Sequence, residues 1–286
     1  MKVAAYQSPL LPVGSMEALE LIRDRVEWCE TEGVDILCCP EAVLGGLADD
    51  AECPVDIAID VESAQLEALL APLASKSVTA IVGFTETVGA GKLYNAAAVF
   101  HDGRVVGIYR KRHPAIRRSV YSAGDQSPLF TVGPLSFGIM ICNDSNYPEL
   151  ATDMVARGAK AIFLPSNNSL PPERANVVAS SRAVDIARAR VNEVMIVRAD
   201  VAGRTADRVS FGSSAIVDAR GTVLRAGKAL SEDILVAEVH ARGQDGGRRA
   251  QSPGHIDVIE HVAERVAFRV RKHRRHHALK ARADEA

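Results

Sequence analysis

Three side chains that could act together in acyl transfer stand at separate points of the sequence. Glu41, Lys111 and Cys142 each come at the end of an apolar run with the character of a buried strand. Acyl transfer needs a nucleophile, a base that takes its proton, and a positive group that faces the developing oxyanion. Cysteine, glutamate and lysine can fill these roles without a histidine or a metal ion. Because the ends of parallel strands meet at one edge of a sheet, the three groups are predicted to converge.

The segment around Cys142 is the most informative of the three. An apolar run that begins at Phe137 stops at the cysteine, a polar turn follows, and Pro148-Glu149 is typical of a helix start. Burial alone explains a cysteine inside such a run but not one at its polar edge. A thiol close to a helix N-terminus is expected to have its ionised form favoured.

Each residue also has an ordinary interpretation when it is taken singly. Glu41 could be a surface carboxylate, Lys111 a solvated cation, and Cys142 a small buried apolar residue. The functional hypothesis therefore depends on all three groups meeting in one place.

The elements that must position these groups alternate between strand-like and helix-like segments, which predicts an α/β fold. Helices are predicted over residues 16–31, 61–76, 147–157 and 172–190. Strands are predicted over 2–7, 34–39, 79–84, 95–101, 105–109, 137–142, 160–164, 194–200, 213–217, 222–225 and 234–239.

Composition excludes several function classes. The 286 residues carry a formal net charge of −2, which gives no reason to expect binding to nucleic acid or to an anionic membrane. No apolar stretch is long enough to span a bilayer, and the N-terminus lacks the features of a signal peptide. The five cysteines are odd in number and lack framework spacing, which favours a reduced, cytoplasmic setting. No Cys-x-x-Cys spacing or matching histidine pair indicates zinc, and no cofactor is expected.

The C-terminal end differs from the rest of the chain. Residues 1–262 are predicted to form one domain, and residues 263–286 a basic tail with a dense block that begins at Arg269. A solvated terminal charge run is the ordinary interpretation. The alternative is an arm that docks on the acidic surface of a partner subunit.

Several segments together resemble the nitrilase, or carbon–nitrogen hydrolase, superfamily. Residues 40–41, 109–113 and 141–144 with 148–149 are similar to its three signature segments, and 95–97, 124–125, 187–192 and 211–218 to further ones, in the family's order. The resemblance implies a four-layer α-β-β-α sandwich that assembles into homodimers or larger homo-oligomers. It also implies that Glu41 is the general base, Lys111 the cationic stabiliser and Cys142 the nucleophile.

The chemistry implied by the resemblance is hydrolysis of a carbon–nitrogen bond other than a peptide bond. The sulfur attacks an amide, carbamoyl or nitrile carbon, and Lys111 and the backbone N–H of Asn143 hold the oxyanion. Glu41 takes the thiol proton, delivers it to the leaving amine and then activates water. Asn143-Asp144 after the cysteine is closer to the Cys-Tyr-Asp of amidases and carbamoylases than to the Cys-Trp-Glu of nitrilases. A small amide or carbamoyl substrate is therefore favoured over a nitrile.

Two departures from the family pattern affect the pocket. The family usually has a second glutamate between its lysine and its cysteine, and this sequence has none there. Arg117 and Arg118 occupy that region instead, and they could either bind a substrate carboxylate or face solvent. Asn167 and Asn168 stand where many relatives have a small residue and tryptophan, which predicts a polar, substrate-binding wall. Alternatively, they form an Asx turn.

Three other functions remain open at this stage. The missing glutamate favours a nitrilase-fold binding or assembly protein that has lost turnover. A nitrilase acting on a small nitrile, and an acyltransferase that passes the acyl group to another acceptor, use the same nucleophile.

Overall fold

Burial along the first strand shows how the sequence builds two layers of apolar packing. In β1 (Lys2–Pro9), Val3 and Ala5 join one apolar cluster, whereas Ala4 and Tyr6 join another. Successive side chains of a strand point to opposite faces, so both faces of the sheet that contains β1 are buried. The computed structural model describes residues 1–75, 77–116, 118–174 and 177–239. The predicted domain limit at 262 and the basic tail lie outside these residues.

Nine strands of the described residues form the first sheet. They are β1, β2 (Ile36–Cys38), β3 (Ile59–Asp60), β4 (Thr79–Val88), β5 (Lys92–His101), β6 (Arg104–Arg110), β11 (Val201–Arg204), β12 (Val209–Phe211) and β15 (Asp233–Glu238). Their order is β12-β11-β1-β2-β4-β5-β6, and β15 and β3 pair with β1 and β4. Strands β1, β2 and β4 are parallel, and the antiparallel pairs β4–β5 and β5–β6 return β6 to the same direction.

Six strands of the described residues form the second sheet. They are β7 (Leu129–Val132), β8 (Leu135–Ile139), β9 (Ala161–Pro165), β10 (Met195–Ala199), β13 (Ala215–Val217) and β14 (Val223–Ala226), in the order β14-β13-β10-β9-β8-β7. Strands β8, β9 and β10 are parallel, so their carboxyl ends share one edge.

Four α-helices of the described residues cover the outer faces of the sheets: α1 (Ala18–Glu32), α2 (Gln65–Leu70), α3 (Pro148–Ala156) and α4 (Val178–Asn192). Helices α1 and α2 pack their buried side chains, such as Ile22 and Leu66, on the first sheet. Helix α3 lies so close to the second sheet that a Cβ on Gly138 would meet the sulfur of Met154 at 2.4 Å. The predicted α-β-β-α order of layers is confirmed. None of the helices in the described ranges is long and apolar enough to cross a membrane.

The element boundaries differ from the predicted ones in places that have physical causes. The helix predicted over 61–76 is limited to α2 and a 3-10 turn, Ala71–Leu73, because Pro72 has no N–H to donate to the preceding turn. The strand before Cys142 ends at Ile139. The strands β3, β7, β11 and β12 were not predicted.

Candidate active site

Glu41 lies in the loop that follows β2 and is buried at the meeting point of the two sheets. Its backbone N–H donates to the carbonyl of Ser166, just beyond the end of β9, at 3.2 Å. This loop presses against β4: a Cβ on Gly83 would lie 2.3 Å from the carbonyl oxygen of Pro40. Glycine at position 83 therefore allows the loop to hold its carboxylate between the sheets.

The carboxylate of Glu41 accepts three hydrogen bonds. Oε1 accepts from Lys111 Nζ at 2.5 Å and from Asn95 Nδ2 at 2.8 Å, and Oε2 accepts from the backbone N–H of Asn167 at 2.9 Å. The carboxylate is therefore held in one orientation by partners from both sheets.

Lys111 follows β6 and is buried beside Glu41. Its backbone is fixed on both sides, because its N–H donates to the carbonyl of Asn95 and its carbonyl accepts from Gly124, each at 2.8 Å. Burial alone lowers the pKa of Lys111, but the charge of Glu41 and the thiol of Cys142 outweigh it, and the net pKa is raised. The lysine is thus a permanent cation at neutral pH.

Cys142 is the first residue of a 3-10 turn, Cys142–Asn146. Its backbone φ is 45°, a value that residues other than glycine rarely adopt. The hydroxyl of Ser145 donates to the Cys142 carbonyl at 2.8 Å. A non-glycine residue in this conformation is strained, and strain of this kind is frequent at functional sites.

Asp144 is the buried residue that fixes this turn. Its carboxylate accepts from the backbone N–H of Ile141 at 2.9 Å, from the hydroxyl of Tyr109 at 2.7 Å and from the backbone N–H of His113 at 2.8 Å. Because Tyr109 lies on β6, these bonds join the turn that carries Cys142 to the strand that precedes Lys111.

The thiol does not have the ionisation predicted from the sequence. Burial is the largest cause that raises the pKa of Cys142, followed by the charge of Glu41; together they outweigh Lys111 and Arg198, and the pKa is raised to about 12. The prediction of a favoured thiolate is wrong, because burial and the charge of Glu41 favour the protonated form. The helix invoked for it, α3, starts only at Pro148, beyond the 3-10 turn. The charges of Glu41 and Lys111 nevertheless both act on the thiol, so the three predicted groups share one site.

The side chain of Asn143 holds the loop after Lys111. Its Nδ2 donates to the carbonyls of His113 at 3.1 Å and Pro114 at 3.5 Å, and its Oδ1 accepts from Asn146. Within the described ranges, no acceptor bonds to the backbone N–H of Asn143. The predicted role of this N–H in holding the oxyanion stays a prediction.

Asn167 and Asn168 are both partly buried and serve the loop after β9. The Oδ1 of Asn167 accepts from the backbone N–H of Ser169 at 3.2 Å, which is the Asx turn of the alternative interpretation. The Nδ2 of Asn168 donates to Asp200 and to Ser213, each at 3.0 Å. Their roles as substrate-binding residues stay predictions, since both amides already have partners within the protein.

Two further residues of the site had no role assigned from the sequence. Asn95 lies in one of the segments that resemble the family, and its Nδ2 donates to Glu41, whereas its buried Oδ1 has no partner in the described parts of the chain. Asp144 stands in a signature segment and positions the nucleophile turn. Of the two arginines in the region where the family has its second glutamate, Arg118 is exposed to solvent, and Arg117 lies outside the described residues.

Comparison with known proteins identifies the family. A family model described as carbon-nitrogen hydrolase matches residues 2–245. The chain belongs to this family. Its resemblance to the nitrilase superfamily is thereby confirmed.

Individual relatives and structures are similar to this chain over most of its length. A glutamine-dependent NAD(+) synthetase of Xylella fastidiosa is 30% identical over 249 residues, 79% of this chain and 42% of the relative. An (R)-stereoselective amidase of Pseudomonas sp. is 28% identical over 193 residues, 66% and 68% of the two chains. The amidase of Nesterenkonia sp. AN1 superposes with a TM-score of 0.69 and 21% identity over 82% of this chain and 89% of that one. That structure is a glutamate-to-glutamine mutant with the acetamide moiety of fluoroacetamide added covalently to its active-site cysteine. The chain thus spans about two fifths of the length of the first synthetase relatives that it matches, and the structural likeness supports the fold.

Proposed function

We propose that this protein hydrolyses a small amide or carbamoyl compound through a thioester on Cys142. The observation that carries the proposal is the buried ion pair of Glu41 and Lys111, 2.5 Å apart, whose charges both act on the thiol. A carboxylate, an ammonium and a thiol in one buried site provide a base, an oxyanion stabiliser and a nucleophile.

The first step couples proton transfer to nucleophilic attack. The thiol is protonated at neutral pH, because its pKa is raised to about 12. Glu41 therefore takes the proton as the sulfur–carbon bond forms, and the electron pair of the carbonyl π bond moves to oxygen. The ammonium of Lys111 and the backbone N–H of Asn143 stabilise the resulting oxyanion.

The later steps use the same carboxyl group. Glu41 passes its proton to the leaving nitrogen as the carbon–nitrogen bond breaks, and ammonia or an amine leaves a thioester. Glu41 then takes a proton from water as the water oxygen attacks the thioester carbon. Collapse of this second oxyanion breaks the sulfur–carbon bond, and the proton returns to the sulfur.

The amide preference is supported by the relatives as well as by the turn after the nucleophile. One relative is named an amidase, another is named glutamine-dependent, and the amidase of Nesterenkonia sp. carries an acetamide adduct on its cysteine. These names support an amide or amide-like substrate for this chain too, because the residues at positions 143–144 also favour it.

Ammonia release from a panel of small compounds tests the proposal. The panel contains simple aliphatic amides, glutamine, N-carbamoyl amino acids and short nitriles, each assayed with the wild type and with Cys142→Ala. We expect release from at least one amide or carbamoyl compound and none from the variant. Release that is equal in both proteins would reject the thioester.

Two further outcomes select an alternative function. Turnover of nitriles alone would make the protein a nitrilase. No turnover of any compound in the panel by a protein that is folded, as judged by its circular dichroism spectrum, would support the binding or assembly protein.

A further inference from the structure

A second buried ion pair lies behind the nucleophile and has no part in the steps above. Arg198 on β10 and Asp185 on α4 have side chains that are 2% and 0% exposed. Asp185 accepts two hydrogen bonds from the guanidinium, at 2.7 Å from Nε and 2.6 Å from NH2. Burying two charges costs several kcal/mol per ion, and a well-packed apolar pair is often as stable. Stability is therefore a weak reason for this pair.

The outer edge of the guanidinium contacts two serine hydroxyls. NH1 donates to Ser166 Oγ at 2.6 Å and NH2 to Ser145 Oγ at 3.5 Å. Both hydroxyls are buried, and each belongs to a segment that holds a reactive group.

Ser145 connects the arginine to the nucleophile. Its hydroxyl donates to the carbonyl of Cys142 at 2.8 Å, so it accepts from Arg198 and donates within the strained turn. Arg188 adds a second tie, because its Nε donates to the carbonyl of Ser145 at 3.0 Å.

Ser166 connects the same arginine to the base. Its carbonyl accepts from the backbone N–H of Glu41, and the N–H of the next residue, Asn167, donates to Glu41 Oε2. A single guanidinium is thus two hydrogen bonds from the backbone of Cys142 and also two from that of Glu41.

The pair is oriented with its positive end towards the site. Asp185 lies on the helix side, whereas Arg198 faces the segments of Cys142 and Glu41. The groups that act on the thiol are Glu41 and Asp200, which raise its pKa, and Lys111 and Arg198, which lower it, after the dominant effect of burial. Arg198 is therefore the second cation that favours a developing thiolate.

We propose that Arg198 is a positioning residue: held by Asp185, it fixes the turn of Cys142 against the segment that holds Glu41 and supports negative charge on the sulfur. The proposal rests on the hydrolytic function proposed above. The planar guanidinium of Arg198 is needed because one group must reach Asp185 and both serines at once.

The test measures the thiol directly and separately from turnover. Iodoacetamide labelling of Cys142 is followed against pH by mass spectrometry, with the exposed Cys53 as an internal reference, since the labelling rate follows the thiolate fraction. The double variant Arg198→Met with Asp185→Leu removes both charges together and leaves no unpaired ion. Arg23→Met, which breaks an exposed pair on α1, is the matched control.

For the double variant we expect Cys142 to be labelled about 3–10-fold more slowly at any pH below its pKa, with the profile displaced to higher pH. Cys53 labelling is unchanged, and kcat falls at least about tenfold. The circular dichroism spectrum of the double variant, compared with that of the wild type, shows whether the variant is folded. An unchanged labelling profile in a folded double variant would overturn the electrostatic part of the proposal, whether or not any substrate is hydrolysed.

The positioning part has its own variants. Arg198→Lys keeps the charge but not the fork, so we expect kcat to fall while the labelling profile stays close to that of the wild type. Should either Arg198 variant fail to fold, Ser145→Ala with Ser166→Ala removes both connections and keeps the ion pair. Wild-type kcat in Arg198→Lys or in the serine variant would overturn the positioning role. If the wild type is active but the labelling profile of Cys142 is unchanged in the double variant, this inference fails and the proposed function stands. If the wild type has no turnover, the proposed function fails, and the labelling profile still tests this inference.

Discussion

Replacing Glu41 with glutamine should separate the two functions of this carboxylate, as base and as counter-ion. Glutamine fills the same space but cannot take a proton and carries no charge. Removing a positioned general base typically costs about 10²–10⁴ in rate. Because Glu41 acts in every proton transfer of the proposed cycle, we expect kcat of Glu41→Gln to fall by at least about 10³.

The structure also predicts a stability cost for this variant. Three N–H donors surround the carboxylate, from Lys111, Asn95 and Asn167. An amide has one oxygen, so its NH2 group must face a donor in either orientation. A buried unpaired donor costs about 1–3 kcal/mol, and removing one partner of a buried ion pair costs about 3–5 kcal/mol. We expect a loss of about 3–5 kcal/mol in the free energy of unfolding.

Glu86→Gln is the matched control. Glu86 is a buried carboxylate that accepts two hydrogen bonds from Arg110, both at 2.6 Å, and it has no contact with Glu41, Lys111 or Cys142 among the described hydrogen bonds. The control should lose stability and keep kcat within about tenfold of the wild type. Ammonia release and urea-induced unfolding are measured on both variants at pH 7.5.

The thiol gives a third measurement for the same variant. Glu41 is the second-largest cause that raises the pKa of Cys142, so its removal lowers that pKa, and iodoacetamide labelling should extend to lower pH although turnover is lost. Equal loss of kcat in Glu41→Gln and Glu86→Gln, or an unchanged labelling profile in Glu41→Gln, would refute the assigned role of Glu41.

Three other substitutions have defined outcomes. Cys142→Ala should abolish ammonia release and leave the thermal unfolding midpoint within a few degrees of the wild type, because alanine removes only the sulfur and keeps the same backbone conformation; residual release would contradict the thioester. Lys111→Met should lower kcat by about 10²–10³ or more, since the oxyanion loses a cation, and steady-state kinetics with near-normal kcat would reject that role. Asn95→Ala removes a donor to Glu41 and should lower kcat about tenfold, whereas an effect on KM alone would place Asn95 in substrate binding.

The sequence predicted the location of the site well because each reactive group follows a strand. Glu41 and Lys111 follow β2 and β6 of the first sheet, whereas Cys142 follows β8 of the second sheet, so the prediction of one shared sheet edge is wrong and the site lies where the two sheets meet. Apolar runs and polar ends are local features, so a single sequence contains them. The segments that resemble the family indicated which three residues act together, and membership of the family is confirmed.

The ionisation of the thiol could not be predicted in this way. It depends on how completely Cys142 is buried and on the distance of Glu41 from it, which are set by residues far apart in the chain. The same reason explains Asn168, whose amide is bound by Asp200 and Ser213 from beyond β10. Short strands such as β3 have two residues, too few for any periodicity to be recognised. Assembly into homo-oligomers stays a prediction that sedimentation velocity can check.

The raised pKa of Cys142 also has a chemical consequence for the resting enzyme. A thiolate is the form that reacts with oxidants and alkylating agents, so the protonated thiol is expected to react slowly with them at neutral pH. Glu41, the proposed base, forms a buried ion pair with Lys111. In the proposed reaction, the thiol proton moves to Glu41 when a carbonyl group enters, and the negative charge moves from the carboxylate to the substrate oxygen, beside Lys111. The total charge of the site is constant through this proposed step, so attack by a thiol does not require a free thiolate to form first.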